Sequence, residues 1–379
     1  MGKRERKDEM LLLMALCGEM PADWVGYAAG SDSYGAALLT RLKKDGFVKL
    51  RSNDGLRGYL LRAKGKRYLL EKYQDDVQNY LSGSVSTNHV KSEPEKRLRL
   101  HRMGMVWITC HAAGIRIFQS EKAELFPTLH PSPSSKGTKK GRNGASYYGT
   151  TEWKLETDQE IKGARACGIL AADSVYIVYN TMDSLMKWTQ KTERNLRNRI
   201  SLRLQKSRKG DLGGAILFGG SMEVMGRLIA SDGGIKENLF RLDDTYENVY
   251  YVPFAREAAL QLYLLSDCEG QKKLNSFLST VLSTARKDPY GLEAGRDENG
   301  KPIYFCYLLE LWKLKRIWSQ KAWEGGRIFC FTYQAKALRD MFPEPFSIEA
   351  IRPEKVYQYL GWDRKREEQQ YGTDLQNRQ

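Results

Sequence analysis

Through the first 75 residues the hydrophobic positions recur with helical spacing, interrupted by short alternating runs, and the pattern parses into discrete elements. Asp8 is placed to cap a helix carrying Leu11, Leu12, Ala15 and Leu16 on one face, and Gly18 stops it. Pro21 opens a second, short helix through Trp24 and Val25 that ends at Gly30. Ser31 or Ser33 caps a third, with Ala37, Leu38 and Leu42 inward, Arg41 and Lys44 outward, and Asp45-Gly46 closing it. Two alternating runs, 47–51 and 58–62, flank Ser52-Asn53-Asp54-Gly55 and predict a β-hairpin. A helical pattern restarts at Ala63, so the predicted order is helix, helix, helix, hairpin, helix.

Apolar periodicity fades over 76–92, where Ser, Asn and Gly predict a linker. A helix is predicted over 94–113, broken by Gly114, then a strand-like 115–119 and a basic surface loop over 127–144. Residues 145–155 read as extended, and 167–171 and 175–180 as paired strands around Ala172-Asp173-Ser174. A long helix is predicted from Asp183 through Leu204, followed by strands at 215–218, 249–254, 302–308 and 328–332. Helices at 222–229, 257–265, near 274–284 and at 335–341 alternate with them. The expected fold class is α/β, α+β overall, with an N-terminal domain at 1–75, a linker at 76–92, an α/β domain at 93–255 and a C-terminal α/β extension at 256–379.

Composition narrows the function. The 379 residues are 41% hydrophobic and 28% charged, which excludes a disordered tail protein and a disulfide miniprotein. Lys plus Arg number 61 against 46 acids, a formal charge of +15, so the expected partner is a polyanion. Six scattered cysteines without a C-x-x-C, and four histidines without ligand spacing, predict no metal site and a reducing cytoplasm. No apolar run approaches the roughly 20 residues that cross a bilayer. Basic 3–7 and apolar 10–16 are separated by Asp8 and Glu9, with no cleavage site after Cys17, which predicts a first helix and no membrane partner.

The basic excess is concentrated. From Arg41 to Arg67 ten Lys or Arg face two acids, Asp45 and Asp54. A third helix entering a DNA major groove would present Ser31, Ser33 and Tyr34 at its front and Arg41, Lys43 and Lys44 along its side. Arg51, Asn53 and Arg57 of the hairpin, and Lys64 after it, would approach phosphates. No Arg or Gln stands at the helix front for bidentate base readout, so one copy would read sequence weakly. A homodimer or a second basic element is then expected. The helix carrying Arg194, Arg197, Lys206 and Lys209 offers such a face, with Leu196, Ile200 and Leu204 turned inward.

Catalysis has one candidate. Glu152-Trp153-Lys154 is an E-x-K on an expected strand, and Asp173 lies in the later turn; a nuclease would hold Mg²⁺ there. The strands beside Asp173 carry no second carboxylate, and Glu156, Asp158 and Glu160 fall in a polar stretch suited to solvent, so no catalytic residue, metal or cofactor is expected.

The order of elements, with Thr40-Arg41-Leu42-Lys43-Lys44-Asp45-Gly46-Phe47-Val48 leading into the hairpin and Ala63-Lys64-Gly65-Lys66 after it, resembles a winged helix-turn-helix of bacterial transcription regulators. The order over 94–218 resembles a restriction-endonuclease-like core, in which an acid precedes an E-x-K on a neighbouring strand; here the matching strands 168–171 and 175–180 have only Asp173 in their turn and no E-x-K, and Glu152 lies before them. With Arg165-Ala166-Cys167-Gly168-Ile169-Leu170, Tyr176-Ile177-Val178-Tyr179-Asn180-Thr181 and Lys187-Trp188, the chain resembles the replication-relaxation family of plasmids and integrative mobile elements. That resemblance implies a degenerate, inactive nuclease-like domain and a non-catalytic double-stranded DNA-binding protein acting in replication or conjugation. A relaxase or replication protein would be its partner. A Mg²⁺-dependent DNA-nicking enzyme and a transcriptional regulator stay open as alternatives.

Overall fold

A computed structural model of the chain describes residues 4–81, 93–126, 144–155, 163–207, 211–232, 238–285, 291–320 and 324–361. The protein is mixed α and β. It divides into two compact units between residues 158 and 159.

The N-terminal unit opens with α1 (Arg6–Cys17), β1 (Met20–Pro21), α2 (Val25–Ala29) and α3 (Asp32–Lys44). Next come β2 (Val48–Asn53), β3 (Leu56–Leu61), α4 (Ala63–Lys72) and α5 (Gln74–Val77). α6 (Pro94–Ala112), β4 (Ser146–Gly149) and α7 (Thr150–Leu155) complete it. α1 is buried from Met10 to Cys17 on every side, so it is the central helix, not one with a single apolar face. Gly18 ends it at φ 71°, its N–H donating to the Met14 and Ala15 carbonyls. Asp8 does not cap it. The helix starts two residues earlier, and the buried Asp8 carboxylate accepts from Tyr68 Oη, Lys72 Nζ and Tyr73 Oη, each at 2.7 Å.

β2 and β3 pair antiparallel from Val48↔Leu61 to Asn53↔Leu56, around the two-residue turn Asp54-Gly55. Both turn residues have positive φ, 56° and 72°, the geometry that carries the right-handed strand twist through a tight hairpin. β1 adds to the other edge of β3, giving the order β1-β3-β2. In α3 the buried positions are Gly35, Leu39 and Leu42; Ala37 is exposed, so the inner face is rotated by about a quarter turn from the expected one, with Leu42 common to both.

The expected boundary at 75 falls inside this unit, because α6 packs on α1 and β1 and buries Val106, Trp107 and Ile108. Residues 145–155, expected to be extended, turn helical after four residues of strand. The Glu152 carboxylate accepts the Gly149 N–H at 2.8 Å, which closes the first turn of α7 as in a capping box. The segment 82–92, the loop 127–143, and Glu156, Asp158 and Glu160 lie outside the described residues.

The C-terminal unit contains β5 (Gly168–Ala171), β6 (Val175–Met182), α8 (Gln190–Ser207), β7 (Leu212–Gly219), α9 (Met222–Ala230), β8 (Val249–Pro253) and α10 (Ala258–Ser266). After them run α11 (Cys268–Leu278), β9 (Thr284–Ala285), β10 (Gly295–Arg296), β11 (Pro302–Phe305) and α12 (Leu311–Gln320). β12 (Gly326–Phe331), α13 (Ala335–Met341), β13 (Phe346–Ile351) and α14 (Pro353–Tyr359) close the described chain. β5 pairs antiparallel with β6, while β6, β7 and β8 are parallel, joined by helical crossovers. A second sheet runs β13-β12-β11-β10-β9, parallel through its first three strands. The long helix starts at Gln190, not Asp183, and buries Leu196, Ile200 and Leu204 as expected.

α10 is buried at all nine positions, including Gln261. That amide donates to the Tyr251 carbonyl at 2.6 Å and the Leu308 carbonyl at 2.8 Å, and accepts from Gln334 and Tyr333. The desolvated polar group is thus paired with β8, the loop after β11 and the residues leading into α13. Among the described residues no helix is long and apolar enough to cross a membrane.

Candidate nucleic-acid interface

Ser31 extends the chain ahead of α3, and its Oγ accepts the Tyr34 N–H at 3.2 Å; Ser31, and not Ser33, is the cap. Ser33 is exposed beside it and Tyr34 is half-buried at the helix front. Arg41, Lys43 and Lys44 are exposed along the last turn, where cations also complement the helix dipole. Lys43 Nζ sits 5.8 Å from the ring centroid of Tyr59 on the hairpin. Lys64 Nζ donates to the Asp45 carbonyl at 2.8 Å and lies 5.0 Å from the Phe47 ring, tying the end of α3 to α4. Arg57 and Lys49 are exposed on β3 and β2. Arg41, Lys43, Lys44, Lys49 and Arg57 form no ion pair among the described residues.

Like charges crowd here. Burial lowers the Lys66 ammonium from its ordinary value, and the neighbouring Lys49 charge lowers it further. Lys49 was not among the residues expected to contact DNA, although its place in a basic, alternating strand was signal enough.

Two of the expected contacts have structural duties. Arg51 is only 16% exposed at its side chain and turns toward Glu19, 3.9 Å away. Asn53 keeps an exposed side chain, but its carbonyl accepts from Arg97 Nη1 at 2.7 Å. Arg97 is fully buried on α6, and nothing in the sequence pattern singled it out. Its Nε and Nη2 grip the Glu19 carboxylate, with Nη2 at 2.6 Å from Oε1, and Nη2 also donates to the Leu56 carbonyl at 3.1 Å. The Asn53 and Leu56 carbonyls flank the hairpin turn, so one guanidinium fixes the hairpin tip against α6. His101 Nε2 reaches the same carboxylate at 3.0 Å. A Cβ at residue 58 would come within 2.6 Å of Glu19 and 2.7 Å of His101, which is why glycine stands on β3 there.

Burial by itself would raise the Glu19 carboxyl, but the hydrogen bonds from His101 and Arg97 and the guanidinium charge hold it down at about 2. Glu9 is held to about 2 in the same way, against burial, by His111 and Arg6. Both folded values lie below the ordinary 4.5, so this stabilisation is complete above pH 4.5 and is lost as the pH falls through about 2. Hydrogen exchange of the β2–β3 amides should therefore be constant from pH 7 to 5, after correction for intrinsic rates, and accelerate between 4.5 and 2. A flat corrected profile down to pH 2 would contradict the assigned network.

The second basic face is partly neutralised. Arg194 pairs with Asp244, and Arg197 is half-buried in a cleft beside Tyr246. Lys206 is exposed, and Lys209 lies outside the described residues. Glu193, the acid in that stretch, is buried and accepts from the Arg165 N–H and Tyr179 Oη, so it opposes none of the surface cations.

The E-x-K does not sit on a strand. Glu152 is buried at the start of α7 and pairs with the buried Lys122 ammonium at 2.5 Å while capping its own helix. A Mg²⁺ ion on this carboxylate would have to displace both partners, so the residues present do not fit the metal expected of a nuclease. The Lys154 side chain lies outside the described residues. Asp173 accepts the Cys268 N–H at 2.9 Å and so caps α11. No three His, Cys, Asp or Glu side chains among the described residues are grouped to hold a metal ion. Comparisons with family models, with curated proteins and with solved structures each return no match to this chain.

Proposed function

We propose that the N-terminal unit is a winged helix that binds double-stranded DNA, with α3 in the major groove and the β2–β3 hairpin as the wing. The carrying observation is a run of exposed cations, Arg41, Lys43, Lys44, Lys49 and Arg57, without ion-pair partners among the described residues, on α3 and on a hairpin whose tip Arg97 holds from inside. Phosphates supply what such a surface lacks. A rigid wing also makes a phosphate contact cheaper in ordering entropy than a loose loop would. The chain's part in replication or transfer of a mobile element belongs to the same proposal, supported by the succession of a winged helix and an α/β unit.

Gel-shift titration of the full chain tests it with two variants. Arg57→Ala should weaken binding alike on all sequences and make the salt dependence shallower by about one unit, as a phosphate contact does. Tyr34→Ala should change the preference among sequences, since Tyr34 stands at the front of α3. Equal losses on specific and random duplexes for Tyr34→Ala would remove α3 from base readout, and an unchanged Arg57→Ala would remove the hairpin from the interface.

A further inference from the structure

The C-terminal unit contains a cavity of about 540 Å³ that the DNA-binding reading does not use. Its volume falls within the range of small-molecule sites. The wall combines two cations, Lys313 and Arg316, with aromatic rings that include Tyr250 and Trp312 and amides that include Gln271 and Asn275. We propose that this cavity binds a nucleoside 5′-phosphate, with the phosphate on Lys313 and Arg316 and the base against Tyr250 and Trp312.

The placement of the cations, and not their excess, points to an anionic group on the α12 side. Three acids also line the cavity, but two are already engaged. Glu310 accepts the backbone N–H groups of Val249, Trp312 and Lys313, which also means that the start of α12 is capped by the chain itself. Glu293 is buried with Arg296 at 3.5 Å, a guanidinium it shares with Glu324. Lys313 and Arg316, three residues apart on one face of α12, form no ion pair among the described residues. The cavity therefore offers Arg316 as a free-standing cation and Lys313 as one whose charge is shared with Glu310, against Glu247 at the exposed margin, which suits a sugar hydroxyl.

The neutral groups are set for a planar, hydrogen-bonding partner. Trp312 Nε1 donates to the Tyr246 carbonyl at 3.3 Å, and Tyr250 packs edge-on to Tyr176 with centroids 5.9 Å apart, so both rings are fixed. Tyr307 Oη donates to Asn275 Oδ1 at 2.7 Å, which leaves the Asn275 amide N–H groups to donate to a base acceptor. Leu309, buried on the same wall, is held at φ 52° by bonds to Cys306 and Tyr251. A β-carbon residue kept in the left-handed region at a cavity wall is a mark of functional sites.

Isothermal titration of the full chain with adenosine, guanosine, cytidine and uridine 5′-monophosphates, each separately, tests this. At least one should bind with a Kd below about 1 mM. The matching nucleoside and inorganic phosphate should each bind about tenfold more weakly, as should Lys313→Gln and Arg316→Gln, since each loses a charge-assisted hydrogen bond. Arg57→Ala should leave this binding unchanged, which separates it from the DNA surface. A 5′-phosphorylated dinucleotide distinguishes the two sources of this chemistry: competition with the monophosphate assigns a strand end, and its absence a free nucleotide. The proposal is overturned if no monophosphate binds below about 1 mM, or if the folded Lys313→Gln/Arg316→Gln double variant binds as well as the wild type.

Discussion

Replacing Arg97 with methionine should cost the N-terminal unit about 3–5 kcal/mol of stability, the range for breaking a buried ion pair from one side. The guanidinium is fully buried, and its removal leaves the Glu19 carboxylate without its main counter-charge and the Asn53 and Leu56 carbonyls without a donor. Lysine will not substitute, because one ammonium cannot grip a carboxylate in bidentate fashion while reaching two carbonyls on a hairpin. The double variant Glu19→Leu/Arg97→Met should recover part of the loss, since removing both charges ends the desolvation penalty. Urea unfolding followed by hydrogen exchange of the hairpin amides measures both. DNA affinity should fall with Arg97→Met although the residue cannot touch DNA. Unchanged hairpin protection would show that the hairpin is held by something else.

The same residue marks where sequence reading stops. The hairpin was legible because Asn53-Asp54-Gly55 brings together residues that tolerate positive φ, and the observed turn uses Asp54 and Gly55. The α3 cap and α13 were legible for similarly local reasons, a serine before a helical run and a short amphipathic stretch. Glu19 and Arg97 are 78 residues apart, and each alone reads as a surface charge. β1 is two residues long, too short for any alternation to register. The α7 error was avoidable. Tyr147-Tyr148 and Thr150-Thr151 have strand propensity, yet Glu152 stands three residues after Gly149, the spacing of a carboxylate that reaches back to close a helix.

Among the expected contacts Arg51 rests on charge alone, which cannot say which side of a strand is covered. In the register, Arg51 faces Gly58, the position closed over by Glu19 and His101, whereas Ser52 faces Arg57 one step along on the opposite side. A shift of one residue separates a guanidinium available to phosphate from one turned to a buried carboxylate. The direction of Arg51, and with it its place in the candidate interface, depends on a neighbour distant in sequence.

Neutralising Arg41, Lys44 and Arg57 together with glutamine should leave the fold intact and remove most of the duplex affinity. All three are exposed and form no ion pair among the described residues, so their loss should change stability by no more than about 0.5 kcal/mol. Each phosphate contact contributes about 0.9 to the slope of log affinity against log salt, so three lost contacts make that slope shallower by about 2.7. Between 50 and 200 mM salt the wild type should then lose about fortyfold more affinity than the triple variant. This difference in slopes is the informative quantity, because a misfolded variant would lose affinity without a defined change in salt dependence. Lys206→Gln on α8 serves as the comparison. If it alone flattens the slope by as much as the triple variant does, the C-terminal unit carries the DNA contact and the winged-helix assignment fails. If the triple variant flattens the slope and Lys206→Gln does not, the charge that matters is the one carried by the end of α3 and by the hairpin that Arg97 holds from inside.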